Sequence, residues 1–239
     1  MFLSESTARE VLEFDPPIEH SVSQFLRKMS QNQEGMAVTL KELTEMHFGR
    51  SRAAILPLVD IRYAHRKDET YAYLSGMAVL KNGKLAGTLN ETEAWGAMWL
   101  RNRLDKTTLT VRSPDGTGFV SLQLKKAGFA LRPRIEDGRW SLEVRIETKA
   151  EIAENTSKLD LSSPDHLGRV ERAAEEEMDG ILRQTLRKTL KELNADIFHF
   201  ADAFYRKYPK EWSRNRDRLD DLYRNVDVDV RTVVLIIRS

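Results

Sequence analysis

Gly76-Met-Ala-Val-Leu-Lys-Asn-Gly-Lys-Leu-Ala-Gly-Thr-Leu-Asn-Glu-Thr-Glu-Ala-Trp-Gly-Ala-Met-Trp99 sets a strand, a tight turn, a second strand and the start of a helix in two dozen residues. Met77 and Val79 alternate with smaller neighbours, and Asn82-Gly83 is the dipeptide that tolerates the positive φ of a two-residue hairpin turn. Asn90 stands three residues before Glu93, so its side chain can accept from an orphan N–H of a new helix while Glu93 reaches back to the cap N–H. Trp95, Met98 and Trp99 fall on one face at helical spacing. That face has to be laid on something apolar, most simply the sheet that the hairpin begins. The stretch contains no nucleophile, metal set or phosphate loop.

Downstream the strands continue. Thr107 to Arg112 alternates Leu109 and Val111 before a Ser113-Pro-Asp-Gly116 turn. Phe119 to Pro133 follows, and Asp137-Gly138 turns it into a last strand from Trp140 to Ile152. In that strand Trp140, Leu142, Val144, Ile146 and Thr148 share one face, and Glu143, Arg145, Glu147 and Lys149 the other. Such alternation gives a sheet with one side on a core and one in water: α+β, an antiparallel sheet with long helices packed on one face. Gly128 marks a bulge between Ala127 and Phe129.

Ser163, with Pro164 at the first helical position, opens the longest helix. Leu167, Val170, Ala174, Met178, Ile181, Leu182, Thr185, Leu186, Leu190 and Leu193 lie on one side, and Glu175 to Glu177 on the remaining faces. Asn194-Ala-Asp196 breaks or kinks it, and Asp196 is placed to cap a second helix bearing Ile197, Phe200, Ala201, Phe204 and Tyr208. Pro209 opens a further turn through Trp212, with Leu219, Leu222 and Tyr223 beyond. The run Val226 to Ile237 reads as a strand apolar enough to lie centrally, inserted into the sheet of the opening hairpin.

Upstream, residues 4 to 14 form one short helix with Ala8, Val11 and Leu12 inward, halted by Asp15-Pro16-Pro17. Residues 1–15 are read as the remnant of a preceding domain. Residues 16–66 make a small, mainly helical middle domain, with helices over Glu19 to Ser30 and Thr39 to Phe48. Its closing run, Ala53 to Ile61, is an edge strand or extended segment because of Pro57. Residues 67–239 are the domain of sheet and long helices.

The 239 residues suffice for a sizeable core. With 38 basic and 37 acidic residues the net charge is +1, which gives no overall electrostatic pull toward nucleic acid or acidic lipid. Zero cysteines exclude disulfides, thiolate metal sites and Cys nucleophiles within these residues. No apolar run approaches the roughly 18 residues that a membrane span requires.

The candidates for chemistry are few. His20, His47, His65, His166 and His199 lie in different elements without metal-ligand spacing. Asp196 and Asp202 flank the Phe-rich helix, where two carboxylates across a cleft could do acid/base work, although capping by Asp196 and exposure of Asp202 explain them more simply. Ser162-Ser163 lacks a nucleophile elbow and fits a helix start. Phe198, Phe200, Phe204, Tyr205 and Tyr208 exceed one helix face, leaving Phe198 or Tyr205 for the surface. The charged sheet face is read as solvated, with a docking surface as the lesser alternative. No catalytic, cofactor or metal residue is assigned.

A resemblance joins these stretches. Gly76, Ala78, Val79, Lys81, Lys84, Leu85, Gly87, Leu89, Asn90, Glu91, Glu93, Gly96, Trp99 and Leu100 follow the pattern of the Ger(x)C family, with Ala94 where the family has Thr. Leu109 to Gly116, Leu131 to Pro133, Glu151 to Glu154 and Asp196-Ile-Phe-His-Phe-Ala-Asp-Ala-Phe-Tyr-Arg-Lys-Tyr-Pro-Lys-Glu-Trp212 follow in the family's order. The family's signal peptide, lipid-modified cysteine and most of its first domain have no counterpart here. The resemblance implies a non-enzymatic C subunit of a spore germinant receptor. Such a subunit would be lipid-anchored in its full-length form on the outer surface of the spore inner membrane, beside integral-membrane A and B subunits, and would support nutrient-triggered germination. The alternative is a small-molecule binding module with a pocket between the sheet and the Phe200/Phe204 helix.

Overall fold

The structure, a computed structural model, describes residues 1–14, 21–22, 24–26, 28, 37–63, 70–104, 106–215 and 218–237. Its described strands form two sheets rather than one. The first is ordered β1 (Leu3–Ser4), β2 (Ala53–Tyr63), β3 (Thr70–Lys81), β4 (Lys84–Leu89). The β3–β4 hairpin turns at Asn82 and Gly83 with φ of 51° and 76°, the left-handed pair expected from the sequence. β2 runs antiparallel to β3 from Ala53 opposite Lys81 to Tyr63 opposite Thr70. Strand pairing therefore crosses the position between residues 66 and 67 where the sequence placed a domain division. The cause lies in the hairpin: two strands alone make a marginal sheet, and the apolar run at 53–61 supplies a third. Pro57 sits opposite Met77. β1 lines only Leu58 and Val59, so the side of β2 beside the proline needs no N–H donor.

Helices α1 (Ala8–Glu13) and α2 (Leu40–Phe48) each open on a capping box, Thr7 with Glu10 and Thr39 with Glu42. Of the helix expected over 19–30, the described Val22, Phe25 and Leu26 pack on the core. The double proline lies outside the described residues.

Helix α3 (Glu91–Leu100) begins as its sequence dictates: Asn90 accepts from the Glu93 N–H at 2.9 Å, and Glu93 from the Asn90 N–H at 3.0 Å. Its expected single apolar face needs correction. Ala94, Ala97, Met98, Trp99 and Leu100 are each at most 3% exposed, because the helix is caught between β3 and the long helix α4 (Pro164–Leu186). Gly96 permits the second contact, since a Cβ there would lie 2.2 Å from Thr185 Oγ1.

The second sheet is ordered β5 (Lys106–Arg112), β6 (Phe119–Glu136), β7 (Arg139–Asn155), β8 (Asp227–Ile236). The β5–β6 turn closes with the Gly116 N–H donating to Ser113 O at 2.8 Å, and β6–β7 turns at Asp137 and Gly138 with φ of 49° and 76°. The bulge falls between Lys126 and Gly128, as expected. Trp140, Leu142, Val144, Ile146 and Thr148 are buried. The opposite face neutralises itself through Lys125–Glu151 at 2.6 Å, Arg134–Glu143 at 3.0 Å and Arg145–Glu147 at 2.8 Å.

β8 departs from expectation. It joins the second sheet and not the hairpin's, and it runs parallel to β7 at the end of the order. Its apolarity has another cause than a central place: α4 lies along it. From α4, Glu175 accepts from the Val234 N–H at 3.0 Å, Glu171 from the Ile236 N–H at 2.8 Å and Asp179 from the Thr232 hydroxyl at 2.8 Å. Carboxylates one helical turn apart thus stand in for a neighbouring strand.

α4 buries Leu167, Val170, Ala174, Met178, Leu182, Thr185 and Leu186 and continues as a π-helical turn over Arg187–Glu192. There the Thr189 hydroxyl donates to Thr185 O at 2.8 Å, a back-bond of the kind that bends helices. The chain then turns at Asn194, φ 50°, into α5 (Phe200–Lys207), α6 (Pro209–Arg214) and α7 (Leu219–Asn225). Trp140 of β7 receives this segment, its ring centroid 4.5 Å from Phe204 and 6.2 Å from Trp212.

Candidate functional site

A cluster of charged side chains lies where α2, the end of α3 and the start of α5 converge. Asn194 and His199, both in the left-handed region, bracket Ala195, Asp196, Ile197 and Phe198, none more than 3% exposed. A buried tetrapeptide without regular structure must find partners for its backbone groups. The Ala195 N–H donates to Thr189 O at 2.8 Å, and Asp196 serves the rest of the turn and the first residues of α5: Oδ1 accepts from the N–H of Phe198 at 3.0 Å and of Phe200 at 3.2 Å, and Oδ2 from Ala201 at 2.7 Å. The carboxylate is therefore the cap of α5, given from within the core. Burial pushes its pKa up, against the pull of those three donors.

Arg101, which ends α3, donates to Ile197 O and lies 3.3 Å from Met46 Sδ of α2. Burial, with Arg103 close by, pushes its guanidinium down to about 10. Arg103 in turn donates to Glu42 at 2.8 Å. On the α5 side, Asp202 accepts from Arg50 at 2.7 Å, and the Arg50 guanidinium lies 3.7 Å from the centre of the Tyr205 ring. His199 Nδ1 is 3.5 Å from Asp202, and its burial and the neighbouring Arg101 hold its pKa below the usual imidazole value.

The cluster joins elements; it does not present a reacting group. Asp196 has no exposed surface and spends its oxygens on backbone donors, so it cannot pass a proton to a substrate. Asp202, the other candidate carboxylate, is held by Arg50. His47 ends α2 with its ring against Phe48. His166 meets Asp160 O at 2.8 Å through Nδ1. His20 and His65 lie outside the described residues. Among the described residues no three His, Asp or Glu side chains gather as a metal site. Ser163 starts α4 without a side-chain cap, and the Ser162 N–H bonds Asp160.

The aromatic run divides as a core does. Phe198, Phe200 and Phe204 are buried, Tyr208 is packed against the core, and Tyr205 is the exposed one at 37%. Phe200 and Phe204, beside which the alternative reading set a pocket against the sheet, have no exposed surface. Three side chains with structural duties escaped the sequence reading. Arg101 and Arg50 gave no signal, because their partners are distant in the chain. Lys207, which donates to Pro133 O at 2.8 Å, stood within the Phe-rich motif. The spacing of Glu171, Glu175 and Asp179 was the one legible sign of the β8 contacts.

The family profile described as spore germination B3/GerAC like, C-terminal, matches residues 75–239. The chain belongs to this family. Family relatives in Bacillus subtilis (strain 168) include spore germination protein KC, 30% identical over 69% of this chain and 40% of that protein. Spore germination protein B3 is 22% identical over 83% of this chain and 56% of its own length. Putative spore germination protein YfkR is 21% identical over 99% of this chain and 62% of its length. The chain thus spans about 40–60% of the length of these relatives. In fold it is similar to the crystal structure of the GerBC protein, with a TM-score of 0.72 at 18% identity, covering 99% of this chain and 68% of that one. No helix among the described residues is long and apolar enough to cross a membrane.

Proposed function

We propose that this protein is the C subunit of a spore germinant receptor and works as a non-enzymatic scaffold through its surfaces. It sits on the outer surface of the spore inner membrane, lipid-anchored in its full-length form, beside integral-membrane A and B subunits. One observation carries the reading. The charged residues that chemistry would need, Asp196 and Asp202 with Arg101 and Arg50, are consumed in holding α5 to α2 and α3. What is left for function is the exterior of two sheets and their helices.

Co-purification with the A and B subunits from detergent extracts tests this. Association is expected, and its absence from spores that contain all three subunits refutes the reading. Small-molecule binding remains the alternative, now at a cleft of about 470 Å³ between α4 and β8, where Arg145, Arg172 and Arg231 face Glu176 and Asp179. A ligand there would raise the melting temperature with concentration as RT ln(1 + [L]/Kd). A scaffold gives a flat response to amino acids and sugars.

A further inference from the structure

The end of α2 and the tip of the β3–β4 hairpin form one projecting surface. The Asn82 N–H donates to Arg52 O at 2.9 Å, Lys81 Nζ to Ser51 O at 3.2 Å and the Arg52 N–H to Gly49 O at 3.1 Å. The His47 ring lies over Gly83, its Cε1 3.0 Å from where a Cβ would stand. The turn after α2 is thereby fixed to the hairpin turn. On this tip Phe48 is 79% exposed and Leu85 62% exposed, large apolar groups that a monomer in water does not favour outside. Residues 47–52 and 81–85 hold four cations, Arg50, Arg52, Lys81 and Lys84, and no carboxylate, in a chain whose net charge is +1. Asp202 answers Arg50, while Arg52 and Lys84 are exposed at the turns.

We infer that this tip docks on an anionic lipid surface, with Phe48 and Leu85 entering the interface and Arg52 and Lys84 meeting the headgroups. The charge decides the sign of the partner, since a surface rich in phosphates complements the exposed Arg52 and Lys84, set in turns that carry no carboxylate of their own. The shape decides its kind. Two apolar side chains on a convex turn suit penetration among headgroups, whereas a stable protein interface needs a broad patch, about 800 Å² per partner. The inference stands apart from the receptor reading, because its test uses no other protein.

The absence of cysteine allows a single polarity-sensitive fluorophore at Leu85→Cys, with Glu136→Cys at the β6–β7 turn as control. Both are mixed with vesicles of phosphatidylcholine alone or of phosphatidylcholine with phosphatidylglycerol. The expected result is a blue shift for the label at 85 with the anionic vesicles only, reversed by salt, and none at 136. Arg52→Gln and Lys84→Gln in the labelled chain each weaken binding roughly fivefold, and Phe48→Ser in unlabelled chain weakens vesicle co-flotation. The proposal is overturned by no shift at 85, by equal shifts at both positions or with neutral vesicles, or by binding indifferent to these substitutions.

Discussion

Asp196→Ala removes the acceptors of three buried N–H groups, those of Phe198, Phe200 and Ala201. Each buried donor left without a partner costs about 1–3 kcal/mol. Arg101, whose guanidinium lies within the field of this carboxylate, also loses an opposite charge. Set against these losses, the burial that pushes the Asp196 carboxyl up is a penalty that alanine does not bear. The lower half of the range applies, about 3–6 kcal/mol in all, or roughly 6–24 °C of melting temperature at about 2–4 °C per kcal/mol for a chain of this size. Asp196→Asn can keep the Oδ1 contacts but sets an amide N–H against the Ala201 N–H, for about 1–3 kcal/mol. Thermal unfolding followed by far-UV circular dichroism measures both. The near-UV signal of Trp140 and Trp212, which pack against the segment that Asp196 anchors, is expected to weaken below the transition for the alanine variant. An alanine variant that melts within 2 °C of the parent (roughly 1 kcal/mol or less) with an unchanged near-UV spectrum would refute the claim that this carboxylate holds the α5 joint.

Gly96→Ala drives a methyl group into Thr185 and parts α3 from α4, with an expected loss of about 1–3 kcal/mol by urea titration. Glu171→Ala with Glu175→Ala uncovers the N–H groups of Val234 and Ile236; light scattering is expected to show self-association that the parent lacks, along with about 1.5–3 kcal/mol lost per charged hydrogen bond. Glu42 sits below its ordinary 4.5, held there by the Thr39 N–H and hydroxyl and by Arg103. Its folded pKa lies below the unfolded one, so its stabilisation is full above pH 4.5 and is lost as pH falls through the folded value. The melting-temperature gap between the parent and Glu42→Gln should close over that window, and a gap constant with pH would count against the tie.

Local signals in the chain were strong where one residue decides one turn. Asn82-Gly83, Asp137-Gly138, Thr39 with Glu42 and Asn90 with Glu93 do what their chemistry prescribes, because each bond closes within four residues. The alternation from Trp140 to Thr148 likewise named the buried face without outside information. Partner choice over long separations was illegible. The run Val226 to Ile237 looks central by composition, yet composition does not record that α4 and its carboxylates cover its far side. Helix α3 looked one-sided because Gly96 and Ala97 read as neutral, while their smallness is what admits a second neighbour. Asp196 was legible as a cap; that its cap is wholly buried followed only from the packing of Phe198, Phe200 and Phe204 around it.

The parallel pairing of β8 with β7 bears on how fast the molecule assembles. Between Asn155 and Asp227 lie 71 residues that must come round before a single rung of that ladder forms. The entropy of closing such a loop exceeds that of the two-residue β6–β7 turn by about 3 kcal/mol. The three antiparallel strands can zip up locally, with the fourth arriving after α4 has settled on them. Refolding from denaturant should then show a slow phase that vanishes when residues 227–237 are deleted, and the intermediate it drains from would expose the apolar edge of β7 to any chain nearby.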